Sequence, residues 1–264
     1  MKKIALISFS LLSLYAGAQK IKLENGKTFK LTSTIETTGE IMGQDMNNNI
    51  STVSTVKIVS LENGKYKGTN TVTSMKMVAS IMGQDMNFDS DKKEDLTSPM
   101  GEKASATLNK PKDISIDANT GEQVLSTKGE DDDSGLGMFG GGDIKSNTGI
   151  FFMTALSKKL GDKWSENTEL GGLKVTTNYE IQIIAGGKIT VAINAITKGV
   201  MTKDMNGQSL DMNIETKTIG SYIVNSTTGL LEKQITTGDA TVNMDIQGQS
   251  MTVTNKTKST IIVE

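Results

Sequence analysis

The sequence predicts a mainly β protein: one large, curved antiparallel sheet or open half-barrel, built from two duplicated halves, with one helix packed on its concave face. Three observations lead there. Apolar residues alternate with Thr, Ser, Lys and Asn over most of the chain. Only 2 prolines occur in 264 residues. One six-residue turn pattern occurs four times. Period-2 alternation rich in Thr and Val is the pattern of half-buried strands, which Pro would interrupt.

The elements follow in order. Lys2 and Lys3, the apolar run Ile4–Tyr15 and the small residues Ala16-Gly17-Ala18 read as an export signal spanning 1–18, too short to cross a membrane. Residues 19–264 read as a single β-rich domain. In its first half, 19–95, Leu23, Phe29, Leu31, Val53, Val56, Ile58, Val72, Met75 and Met77 alternate with polar residues. Asn63-Gly64 between two such runs predicts a hairpin. Residues 96–172 form an insert holding both prolines, Pro99 and Pro111. Within it, Ile114, Ile116 and Val124 flank Asn119-Thr120-Gly121, a short hairpin. An acidic, glycine-rich loop follows over 129–143. Residues 148–160 are then expected to form the one helix, with Phe152, Met153, Leu156 and Leu160 on its apolar stripe and Gly161 as its stop. Alternation returns over 173–264 through Val175, Tyr179, Ile181, Ile189, Val191, Ile214, Val242 and Val253.

The repeated pattern is apolar-x-Gly-Gln-x-apolar, at Ile41–Met46, Ile81–Met86, Met205–Leu210 and Ile246–Met251. Its first two copies stand 40 residues apart and its last two 41. Gly-Gln suits the central pair of a type II′ turn with Gly first. That register sets Ile41 opposite Met46, Ile81 opposite Met86, Met205 opposite Leu210 and Ile246 opposite Met251. The recurrence predicts an internal duplication.

Composition narrows the chemistry. His and Cys are absent, and all 28 basic residues are Lys. This removes imidazole and thiolate catalysis, thiolate zinc sites, lipid attachment to Cys and bidentate arginine clamps. After loss of 1–18 the chain carries 26 Lys and 30 acidic residues, a mild negative charge that does not suit nucleic acid. Asp131-Asp132-Asp133 are consecutive, whereas a calcium loop alternates its acids. No catalytic residue, metal site or cofactor is expected. The 15 Met, against 6 Phe, 4 Tyr and 1 Trp, suit an adaptable apolar surface. The candidate ligand-binding residues are Met75, Met77, Phe152, Met153, Leu156, Leu160 and Trp164.

Several motifs carry a resemblance: the paired Met-Gly-Gln-Asp-Met segments, Phe88-Asp89-Ser90, Asp117–Gly121, Leu160–Trp164, and Tyr222–Asn225 leading to Thr228-Gly229-Leu230. On these the chain resembles a family of secreted, β-rich bacterial proteins, a domain of unknown function, which implies export and no assignable activity. More loosely, a curved sheet with a helix on its concave face resembles the periplasmic lipoprotein carriers and lipid-binding lipoproteins. The expectation is a non-catalytic, exported protein, periplasmic or extracellular and not a lipoprotein. It would hold a lipophilic ligand or an acylated protein partner between sheet and helix. The alternative is a structural or cell-surface interaction protein with a fully packed core.

Overall fold

The computed structural model describes residues 20–41, 43–81, 83–125, 149–205, 208–246 and 249–264. The expected export signal and the acidic stretch 129–143 lie outside the described residues. The first four strands are β1 (Thr28–Ile41), β2 (Gln44–Glu62), β3 (Lys65–Ile81) and β4 (Gln84–Asp89). Two short helices follow, α1 (Lys93–Leu96) and α2 (Pro99–Ser105), then β5 (Lys112–Asp117) and β6 (Gln123–Leu125). The second set comprises β7 (Lys163–Leu170), β8 (Leu173–Ala185), β9 (Lys188–Met205), β10 (Gln208–Asn225), β11 (Leu231–Ile246) and β12 (Gln249–Val263).

All twelve strands belong to one open antiparallel sheet, ordered β6-β5-β3-β2-β1-β12-β11-β10-β9-β8-β7, with β4 beside the far half of β3. The mainly β, open-sheet expectation therefore holds. Chain neighbours are sheet neighbours almost throughout. The exceptions are β3, which also pairs with β5, and a central seam where β1 pairs with β12 over Leu31–Ile41 and Val253–Val263. The connections after residues 41, 81, 205 and 246 all fall at one end of the sheet, here called the tip. The turns at 63–64 and 186–187 and the Asn225–Leu231 connection mark the other end, the base.

The register at the tip corrects the sequence reading. Ile41 pairs with Gln44, Ile81 with Gln84, Met205 with Gln208 and Ile246 with Gln249. The repeated Gly therefore stands second in each two-residue connection, not first. Gly43 and Gly83 have φ of 77° and 75°, the conformation a second central Gly supplies without a Cβ penalty. Gln44 consequently shares a sheet face with Ile41. It is tolerated because that face is open at the tip, where Gln44 is exposed. At the base, Asn63 (φ 51°) and Gly64 (φ 76°) form the expected tight hairpin.

The single long helix expected over 148–160 is not formed; Thr148 lies outside the described residues. Gly149–Phe152 is not helical, with Phe151 bridging to Leu230, and only Met153–Ser157 coils, as a short 3₁₀ turn. The sheet competes for this segment's backbone. Leu231 N–H donates to Ile150 C=O, and Phe152 N–H donates to Gly229 C=O. The result is a strap lying across the base end of one face. The two helices that do form were not anticipated. Ser98 caps α2 by accepting the Gly101 N–H at 3.1 Å, and Pro99 follows at the first helical position.

The strap divides the core. Phe151 and Met153 join Phe29, Val56, Ile58, Tyr66, Ile114, Ile116 and Val263 in one cluster. Ala155, with Phe152 and Leu156, packs on Tyr179, Ile181, Ile189, Val191, Tyr222, Val224 and Leu231 in another. Phe152 lies 6.2 Å from Trp164 on β7 and 5.4 Å from Tyr222 on β10, ring to ring. Three strand spacings in a flat sheet would span about 14 Å. The sheet accordingly curls around the strap, whose face is its inner one.

Candidate functional site

The registers place side chains in rows across the inner face. One row toward the tip from Ile181, Val191 and Tyr222, the residues Tyr179, Ile193, Gly220, Thr236, Ser259, Ile35, Ile50 and Met77 follow one another from β8 to β3. Two steps toward the tip the row is polar or small: Thr177, Ala195, Thr218, Gly238, Thr257, Thr37 and Asn48. Thr37 and Asn48 are both 1% exposed, and the Thr37 and Thr257 hydroxyls are 3.3 Å apart.

Beyond this belt the face turns apolar again. Ile214, Val242, Val253 and Ile41 form one row, and Met201, Met212, Met244 and Met251 form the next. These eight side chains are half-buried. The outward positions of β1 are polar, at Lys30, Thr32, Thr34, Glu36, Thr38 and Glu40, whereas Ile196, Val200, Ile219, Ile235 and Ile262 stand exposed at outward positions of β9 to β12. Apolar surface is thus left uncovered on both faces, and on the inner face it is gathered into two adjacent rows at the tip.

The candidate residues read from sequence do not converge on one cavity. Met75 and Met77 are 7% and 3% exposed and pack with Ile50, Ala79, Phe88, Ala104 and Leu108 near α2. Met153 belongs to the cluster around Phe29. Phe152, Leu156 and Trp164 border the cluster around Tyr179 and Tyr222. Leu160 is 66% exposed, on the turn after the strap. Beneath the strap, Ala155 is fully buried against the cluster around Tyr179 and Tyr222.

Sequence reasoning did not name Met201, Met212, Met244, Met251, Tyr179 or Tyr222 as members of the site. The signal was present, because aligning β9 to β12 by their tips puts Met201, Met212, Met244 and Met251 in register. Tyr179 donates to the Glu166 carboxylate at 3.3 Å. Burial first, and Glu166 second, raise the Tyr179 phenol above its ordinary range and push Tyr222 up to about 12. Both phenols are thus neutral at physiological pH. Among the described residues no group of three or more acids is arranged to hold a metal ion.

A second concavity lies at the base, bordered by Phe151 of the strap. This cleft of about 770 Å³ has Ile21, Leu23, Phe29, Phe151 and Leu230 in its lining, with Lys20, Lys22, Lys27, Asn225, Thr227, Thr228 and Glu264 completing it. Its floor is fixed by Tyr66, whose hydroxyl accepts the Leu23 N–H and donates to Ile21 C=O, both at 3.0 Å.

No family model matches the chain, and no curated protein sequence does. Among solved structures, the fold is similar to that in a study of lipid–protein interactions in lipovitellin, at a TM-score of 0.50 and 6% identity. The match takes in 92% of this chain and 25% of that one, so the chain spans about a quarter of its length. An outer membrane channel from Pseudomonas putida F1 gives a TM-score of 0.26 at 8% identity, covering 92% of this chain and 97% of the channel. The Pseudomonas aeruginosa protein OccK2 gives 0.24 at 6%, covering 93% and 100%. These two are too distant in shape to inform the reading. What the chain shares with lipovitellin is a fold: a broad antiparallel sheet.

Proposed function

We propose that this is a non-catalytic, exported protein, periplasmic or extracellular, that binds a lipophilic ligand or the acyl group of a modified partner. The observation that carries the reading is the pair of adjacent, half-buried apolar rows at the tip of the inner face. An acyl chain laid along Met201, Met212, Met244 and Met251 would gain roughly 0.8 kcal/mol for each methylene it buries. Methionine suits a surface that accepts chains of varied length and unsaturation, because its side chain is unbranched and polarizable. The fold shared with lipovitellin, whose structure concerns lipid–protein interactions, is consistent with this.

Export rests on Lys2, Lys3, the apolar run after them and Ala16-Gly17-Ala18. The non-catalytic reading rests on the absence of His and Cys. Native mass spectrometry of the protein from its own host, followed by lipid extraction, tests the proposal. A co-purifying lipophile is expected, together with slower peroxide oxidation of Met201, Met212, Met244 and Met251 when a fluorescent fatty acid is added. Substituting Met212→Lys should weaken uptake of that probe at least tenfold. No bound lipophile, no uptake and unchanged methionine oxidation would together overturn the proposal.

A further inference from the structure

The base cleft carries an inference separate from the open rows at the tip. Its floor is apolar and its rim is basic. Lys20, Lys22 and Lys27 are exposed, line the same concavity and form no ion pair among the described residues. Some other lysines of the described surface are neutralised by carboxylates, as Lys188 is by Glu232 at 2.7 Å and Lys198 by Glu215 at 2.9 Å. The Lys27 ammonium lies 5.6 Å from the centre of the Phe29 ring, so its charge leans over the apolar floor. Glu264 is the one acid in the lining, against three lysines.

We propose that this cleft is a second binding site, for a fatty-acid carboxylate, with the head group at the three lysines and the first part of the tail on Phe29, Phe151 and Leu230. Three features support it. The volume of about 770 Å³ lies within the range of roughly 300–1,000 Å³ common to small-molecule sites. The floor is preformed: Tyr66 pins Ile21 and Leu23, and Ile21 N–H donates to Ala118 C=O at 2.8 Å. The side chain of Asn225 accepts the Thr227 and Thr228 N–H groups, which shapes the opposite wall. A ligand of this class satisfies both parts of the lining, whereas a neutral lipid leaves the lysines without a partner. Binding through exposed lysines weakens as salt screens them.

The test is calorimetric titration with decanoate and with decan-1-ol at low and high salt, on the whole mature protein and on K20Q/K22Q/K27Q. The triple variant should bind decanoate about tenfold more weakly at low salt and decan-1-ol unchanged, and E264Q should bind decanoate two- to threefold more tightly. Equal effects on acid and alcohol, or unchanged decanoate binding in the triple variant, would overturn the site. Lysine acetylation mapped by mass spectrometry separates this site from the tip. Decanoate should protect Lys20, Lys22 and Lys27 but leave Lys30 and Lys256 on the outer face reactive. Protected methionines with unprotected lysines would leave the tip reading standing and refute the cleft; the opposite pattern would refute only the tip.

Discussion

Phe152 touches aromatic rings on three different strands, at 6.2 Å from Trp164, 5.3 Å from Tyr179 and 5.4 Å from Tyr222. It was legible in the sequence as an apolar residue in an apolar stripe, and that much was enough to mark it. Its partners were not legible, because Trp164, Tyr179 and Tyr222 are joined only by registers that the chain acquires on folding. Phe152→Ala should destabilise the protein by about 2–3 kcal/mol, somewhat below the range for a fully buried Phe because this ring is half-buried. Trp164 is the only Trp, so its fluorescence reports on the site without ambiguity. A red-shifted emission in the folded variant is expected, with a lower urea midpoint. Gly220 makes the complementary case. A Cβ there would run into the Ile235 carbonyl and stand 2.8 Å from Thr236 Cα, both backbone atoms that cannot step aside. Gly220→Ala should therefore destabilise the β10–β11 pairing by about 1–3 kcal/mol, seen as a lower melting temperature.

At the scale of elements, local turn chemistry and tertiary competition separate what the sequence showed from what it hid. The Asn63-Gly64 hairpin and the short hairpin at Asn119–Gly121 were readable because the residues themselves prefer those conformations. The repeated Gly-Gln turns were located correctly but read one residue out of register. Pattern alone favoured apolar partners across the strands, and it could not show that the face opens to water at the tip. The strap was misread as a helix because its stripe of Phe152, Met153, Leu156 and Leu160 has helical spacing. The backbone of Gly229 and Leu231 offered that segment hydrogen bonds the sequence does not display. The turn assignment has a direct check. Gly83 has φ 75° and nothing within 4 Å of an added Cβ, so strain there is purely conformational. Gly83→Ala should cost about 1–2 kcal/mol in urea unfolding, and Gly83→Asn clearly less, since Asn tolerates the left-handed region. Equal losses for both would place the glycine in another conformation.

Over the whole molecule, charge sets a window of stability. Backbone N–H groups of Thr120 and Asn119 hold the Asp117 carboxyl below its ordinary range, and the Asp91 N–H does the same for Asp89. Lys198 and Lys188 lower Glu215 and Glu232. Each of these carboxyls binds a proton more weakly folded than unfolded, so its stabilisation is present above the unfolded pKa and fades as pH falls through the folded one. The two buried tyrosines act at the other limit. Their folded pKa values lie above the unfolded value of about 10, so the stability tied to the neutral phenols is lost as pH rises beyond it. Urea midpoints should thus fall below about pH 4 and above about pH 10, with Tyr222→Phe flattening the alkaline limb. The seam between β1 and β12 has a different consequence. It pairs residues 220 positions apart, as Thr37 and Thr257 show, and it lies in the middle of the sheet. Local hairpins on either side can form early and separately, yet each group keeps a bare edge until the final fifteen-residue strand arrives. Loop closure over such a distance is the slow event in a protein otherwise made of neighbours. The rate of folding is then governed by the chain's two ends meeting, and a nascent chain lacking β12 would present two unpaired edges to its surroundings.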